Sequence, residues 1–121
     1  PFHAISPGFV SEDGCPRMAF GVMGGHMQHQ GHVQMVKRVF EFGQNPQAAI
    51  DAPRWHVYPD FTIGLESGFD QSIASQLVDL GHSVRFEKNE SVFGGAQLIL
   101  RSENGFVAGS DSRKEGLAAG Y

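Results

Sequence analysis

Gly8-Phe9-Val10-Ser11-Glu12-Asp13-Gly14-Cys15-Pro16-Arg17-Met18-Ala19-Phe20-Gly21-Val22-Met23-Gly24-Gly25 is the most informative stretch of the chain. Two apolar runs, Phe9-Val10-Ser11 and Met18-Ala19-Phe20, flank Glu12-Asp13-Gly14. Asp-Gly suits the positive φ angles of a tight hairpin turn, so the stretch predicts two antiparallel strands. The second strand runs through Gly21-Val22-Met23 and ends at Gly24-Gly25, where a helix is expected to start.

Downstream, Val33, Val36 and Phe40 recur at i, i+3, i+7, with Met35 and Val39 alongside, which predicts a helix capped near Gly43. Asn45-Pro46 reads as an N-cap and first-turn proline opening a short helix over Gln47–Asp51. Arg54–Val57 and Thr62–Glu66 read as extended. Asp70 caps a helix through Ile73, Ala74, Leu77, Val78 and Leu80, ended by Gly81. Val84–Glu87 alternates as a strand, and Gln97–Arg101 meets Phe106-Val107-Ala108 across an Asn104-Gly105 turn. Antiparallel hairpins mixed with helices predict an α+β domain, with helices packed on one face of a mostly antiparallel sheet.

Composition narrows the function classes. The chain has 121 residues, 18% of them charged, and a net charge of −4, which is globular rather than disordered. Nine Lys and Arg are scattered and outnumbered by 13 acids, against a nucleic-acid or anionic-membrane surface. The longest aliphatic run, Leu98-Ile99-Leu100, is far too short to span a bilayer as a helix. A single cysteine, Cys15, excludes an internal disulfide and a Cys-rich zinc site, and leaves a periplasmic or a cytoplasmic location open. The opening Pro1-Phe2-His3 reads as mid-phrase, so a piece of a longer protein is expected, with a processed mature chain as the other reading.

Gly24-Gly25 is the first candidate for chemistry. At a helix start, backbone N–H groups without intrahelical partners point outward and the helix dipole favours negative charge. Without side chains, two successive amides can approach a carbonyl oxygen as an oxyanion hole; the plainer reading is a tight turn. Gly94-Gly95 is a second pair, but it precedes a strand. His26, His29 and His32 lack an acidic or thiol companion between Gly21 and Phe40, which favours solvated histidines over a metal site. No Gly-x-Ser-x-Gly elbow occurs. Cys15 reads as an exposed turn residue, Thr62 as part of a strand, Trp55 as core or interface, and Asp111, Arg113 and Lys114 as a solvated or ion-paired turn.

Several ordered blocks say more than any one motif. Pro1-Phe2-His3-Ala4-Ile5-Ser6-Pro7 is followed by Phe20-Gly21-Val22-Met23-Gly24-Gly25, Asp51-Ala52-Pro53-Arg54-Trp55 and Leu65-Glu66-Ser67-Gly68-Phe69. The chain closes with Gly109-Ser110-Asp111-Ser112-Arg113 and Ala118-Ala119-Gly120-Tyr121. In that order and spacing, over essentially all of residues 1–121, they resemble the γ-glutamyltranspeptidase family, specifically the C-terminal part of its small subunit.

The resemblance implies an N-terminal-nucleophile hydrolase fold, an αββα sandwich of two stacked antiparallel sheets between helix layers. It implies a self-cleaving precursor whose small subunit exposes an N-terminal threonine as nucleophile, with its own amine as base. That threonine has no counterpart here, since Thr62 is internal. The implied partners are the upstream part of the small subunit, the large subunit and a small-molecule amide; no cofactor or metal is implied. Residues 1–121 are expected to form one domain that is inactive alone and self-associates. The family's oxyanion-hole glycines match Gly24 and Gly25. Its two consecutive carboxylate-binding serines fall on His3 and Ala4, a departure that points toward the acylase-like branch. The expected activity is transfer of a γ-glutamyl or related acyl group to water or an amine. A cephalosporin-acylase-like amidase and a non-catalytic assembly or ligand-binding module remain the alternatives.

Overall fold

The computed structural model describes Ala4 and residues 6–120. Its elements are β1 (Gly8–Glu12), β2 (Cys15–Met23), α1 (Met27–Val36), α2 (Pro46–Asp51), β3 (Trp55–Val57), β4 (Ile63–Leu65), α3 (Gln71–Asp79), β5 (Val84–Phe86), β6 (Gly95–Ser102) and β7 (Gly105–Ser110). They form a four-stranded antiparallel sheet, β1-β2-β6-β7, and a three-stranded sheet, β3-β4-β5.

The predicted first hairpin is present. Glu12 pairs with Cys15, and Asp13 and Gly14 both take positive φ (49° and 76°), as a two-residue primed turn requires. Val10 faces Met18 but Ser11 faces Pro16, so Arg17 is the extra residue of a bulge. Pro16 is tolerated because the β2–β6 ladder starts only at Met18. The second hairpin turns one residue earlier than expected: Ser102 pairs with Gly105, which already belongs to β7. The two hairpins are joined by β2 and β6, paired from Met18↔Leu100 to Met23↔Gly95.

Helices α1 and α2 cover one face of the larger sheet. Met18, Val22, Met27, Met35, Val39, Ala49, Ile50, Ala96 and Leu98 make the core between them. Burying an aliphatic side chain of this kind contributes about 1.5–3 kcal/mol. Capping follows the sequence: Asn45 Oδ1 accepts from the Ala48 N–H (2.9 Å) and Asp70 Oδ1 from the Ser72 N–H (2.8 Å).

The orientation of α1 differs from expectation. Val33 and Phe40 are exposed, and the buried stripe is Met27, Gly31, Gln34 and Met35. Gly31 sets this rotation: a Cβ there would lie 2.5 Å from Val22 Cγ1, so only glycine lets the helix press onto β2. A π-helical turn over Lys37–Glu41 then brings Val39 to the core.

The smaller sheet is a further difference, because β4 and β5 run parallel with α3 as their crossover. Its edge strand β3 is held by α1. Gln34 bonds both the N–H and C=O of Trp55 (3.2 and 2.9 Å), and Gln30 does the same for Val57 (2.7 and 3.0 Å). The two glutamine amides stand where a neighbouring strand would.

Candidate functional site

The β2–α1 junction is built almost entirely of backbone. The Met27 N–H donates to Gly24 C=O (3.0 Å) and the Gln28 N–H to Gly25 C=O (3.1 Å). Because the N–H of a trans peptide opposes its C=O, the Gly25 N–H is turned out of the helix start. No acidic side chain occupies the first turn of α1, so the positive end of its dipole is uncompensated there.

Glycine is required here by conformation and by contact. Gly24 has φ 130° and Gly25 φ 58°. A Cβ on Gly25 would meet nothing within 4 Å, so the position is open. Gly24 is backed by Gly94, where an added Cβ would lie 1.9 Å from the Met23 carbonyl oxygen. The second glycine pair therefore buttresses the first through Gly94, while Gly95 packs under the Lys114 side chain.

Gly24 and Gly25 open into a groove of about 520 Å³, bounded by Ala4, Ser6 and Pro7 on one side and by Gly95 and Gln97 on another. Ala4, expected as an acyl-pocket position, thus shares one cavity with the glycine pair although twenty residues separate them in sequence. His3, the other expected position, lies outside the described residues. Gln28, which sequence reasoning did not single out, lines the same groove. Its signal was available only as a polar residue one turn beyond the glycines.

Among the described residues no three His, Cys, Asp or Glu side chains come together as ligands. His32 is structural: Nε2 accepts from the Val22 N–H (3.3 Å) and its ring meets Phe20 edge-on. Burial, aided by His29, pulls its pKa down, which keeps that nitrogen an acceptor. His56 is buried and lowered for the same first reason, with His26 and His29 adding to it against Glu87. Cys15 is exposed and free; Thr62, expected within a strand, is half-buried just before β4, and its N–H donates to Asp60 Oδ1 (3.0 Å).

Of the three residues expected as a solvated or ion-paired turn, Asp111 (buried) and Arg113 (half-buried) are ion-paired and Lys114 is exposed. Arg54, wholly inaccessible, donates to Asp111 Oδ2 (2.5 Å), Phe93 C=O (2.9 Å) and Ile50 C=O (3.0 Å). Asp111 also accepts from the Ala96 N–H (2.6 Å) and from Arg113. Arg113 reaches Glu66 with two bonds, and Glu66 accepts from the Arg54 N–H. The network ties the β7 end, the α2–β3 turn and the start of β6, just behind Gly94, into one rigid unit.

The whole chain, residues 1–121, matches the family model described as gamma-glutamyltranspeptidase. A glutathione hydrolase-like YwrD proenzyme of Bacillus subtilis is 32% identical over 98% of this chain, and a glutathione hydrolase proenzyme of Escherichia coli is 31% identical over all of it. The matches cover only 24% and 21% of those proteins, so the chain spans about a quarter of their length. Among solved structures, a cephalosporin acylase from Bacillus halodurans superposes with a TM-score of 0.89 at 41% identity, over 95% of this chain and 22% of that one. A gamma-glutamyltranspeptidase from Pseudomonas nitroreducens shares the fold with a TM-score of 0.83 at 22% identity, over 99% of this chain and 63% of that one. The antiparallel sheet with its packed helices is thus part of an N-terminal-nucleophile hydrolase fold. With every residue matched and relatives above 30% identity along its length, the chain belongs to the gamma-glutamyltranspeptidase family.

Proposed function

We propose that residues 1–121 are one domain, the C-terminal part of the small subunit of a γ-glutamyltransferase-like acyltransferase or amidohydrolase, and that Gly24 and Gly25 form its oxyanion hole. The upstream part of the small subunit, with the large subunit, supplies the rest of the site. In the reaction, an N-terminal threonine hydroxyl attacks the amide carbonyl and passes its proton to the terminal amine. The carbonyl electrons move onto the oxygen, which the glycine amides stabilise. Collapse expels the amine with that proton and leaves an acyl ester, which water or another amine then cleaves.

The observation that carries this reading is the groove itself. Two glycines at a helix start, their carbonyls turned into the helix, open onto the same cavity as Ala4. The upstream part of the small subunit also gives an occupant for the open part of the larger sheet's face opposite α1 and α2, where Phe9 is exposed; residues 118–120 of this chain already lie beside Ile99, Phe106 and Ala108 on that face. The chain alone is expected to show no turnover of glutaryl- or γ-glutamyl-p-nitroanilide and to sediment as more than a monomer. Turnover that survives repurification and vanishes on mutation within residues 1–121 would overturn the assignment.

The acylase-like reading is favoured by the 41% identity to the Bacillus halodurans cephalosporin acylase and by Ala4, which has no side-chain donor for an α-carboxylate. A charge-assisted hydrogen bond contributes about 1.5–3 kcal/mol. Its loss should weaken γ-glutamyl donors at least about tenfold relative to glutaryl ones. In the full-length enzyme, His3→Ser/Ala4→Ser should shift kcat/KM toward γ-glutamyl-anilide. A wild type that prefers γ-glutamyl by more than about tenfold, or a ratio that the double serine leaves unchanged, would remove donor choice from these positions.

A further inference from the structure

Gln28 is the only residue that bonds both walls of the groove among the described residues. Its backbone N–H holds Gly25 C=O (3.1 Å). Its side-chain Oε1 accepts from the Ser6 N–H (2.9 Å), and Nε2 donates to Ala4 C=O (2.6 Å). Ala4, Ser6 and Pro7 are all exposed, and these two bonds are the ones that tie Ala4 and Ser6 to described residues.

Three other glutamines use a related device, each amide bonding both backbone groups of one strand residue: Gln30 on Val57, Gln34 on Trp55 and Gln47 on Ser110. Those clips fasten strands. The Gln28 clip alone fastens a segment that lines the groove.

We propose that Gln28 is a positioning residue for the acyl-binding wall: its amide fixes the Ala4 C=O and the Ser6 N–H against the helix start that carries the Gly24-Gly25 pair, and so sets the width of the acyl pocket. The inference rests on the functional reading above. It needs an amide for a physical reason, since one face must accept from an N–H while the other donates to a C=O. A carboxylate satisfies only the first and repels the Ala4 oxygen. A protonated glutamic acid again offers one acceptor and one donor in nearly the same geometry.

That difference provides the test in the full-length enzyme, with glutaryl-p-nitroanilide as donor and hydrogen exchange of the residue 4–9 peptide as a readout independent of activity. Gln28→Met should raise KM about tenfold at every pH while kcat changes less than about threefold, because the Gln28 N–H still holds Gly25. Gln28→Glu should match Gln28→Met at pH 8 and recover toward wild-type KM as pH falls toward 5 and the carboxyl gains its proton. Both variants should lose protection of the Ser6 amide at pH 8. Unchanged KM in Gln28→Met, a Gln28→Glu profile parallel to wild type, or an unaltered Ser6 amide would each overturn the proposal. A wild type with no turnover of either anilide would instead count against the functional reading, and the exchange result would then decide the role of Gln28 alone.

Discussion

Gly25→Val in the full-length enzyme is expected to lower kcat about 10²–10³-fold, the usual consequence of losing one oxyanion donor, which is the role proposed for the Gly25 amide. The position has φ 58° and nothing within 4 Å of an added Cβ. The fold therefore has room for the side chain at a position that lines the groove. A branched residue also resists the left-handed conformation, which turns the amide away from the reacting carbonyl. Gly94→Val is the instructive comparison. Its Cβ would lie 1.9 Å from the Met23 carbonyl oxygen, so the backbone behind Gly24 must move and stability should fall along with kcat. At Gly95→Val the nearest atoms are those of the flexible Lys114 side chain, Cγ at 2.5 Å, and the change should cost some stability with a smaller effect on kcat. Steady-state kinetics with urea melts separates the three. Equal loss of kcat at Gly25 and Gly95, with folding intact, would remove the distinction between the glycine pairs.

Arg54→Met should destabilise the full-length protein by about 3–5 kcal/mol, the range for removing one partner of a buried ion pair. Arg54 and Asp111 are 0% and 1% exposed, and the substitution leaves the carboxylate buried with the Ala96 amide and Arg113 alone. The effect should depend on pH in a fixed direction. Burial pushes the Asp111 carboxyl up, but the Arg54 hydrogen bond, the Ala96 and Arg113 amides and the Arg54 charge together hold it below its ordinary value. A depressed folded-state pKa contributes stability that is fully present above the unfolded value, about 3.9, and is lost as pH falls through the folded one. The gap between wild type and Arg54→Met should be widest near neutral pH and shrink as pH falls from about 7 toward about 3, where Asp111 gains its proton in both proteins. Urea melts across that range check it, and a gap that widens in acid would contradict the pairing.

What the sequence made legible was local. Asp13-Gly14 placed the first hairpin because its turn needs two positive φ angles, and Asn45, Pro46 and Asp70 placed two helix starts because caps act within three residues. The β2–β6 pairing that unites the hairpins spans more than seventy residues and leaves no local mark. The rotation of α1 was misjudged because apolar spacing favoured Val33 and Phe40. Gly31, by admitting Val22, decided the matter through a side chain it lacks. Burial of Arg54 was equally hidden, since a single arginine between Pro53 and Trp55 does not announce a carboxylate at Asp111. At the candidate site, the strand-to-helix junction at Gly24 and Gly25 was legible from the paired glycines. Gln28 was not, because its partners Ala4 and Ser6 lie across a hairpin that only the folded chain closes.

A crystal structure of the full-length enzyme with a glutaryl-like boronate on its nucleophile would probe the proposed oxyanion hole itself. The tetrahedral adduct carries an oxygen where the developing oxyanion sits. The glycine assignment predicts that oxygen within about 2.7–3.1 Å of the Gly24 and Gly25 backbone nitrogens, with the acyl chain against Ala4. An adduct oxygen turned to solvent, or held by donors from another segment while both glycine amides stay unengaged, would show that this pair does not perform the chemistry assigned to it.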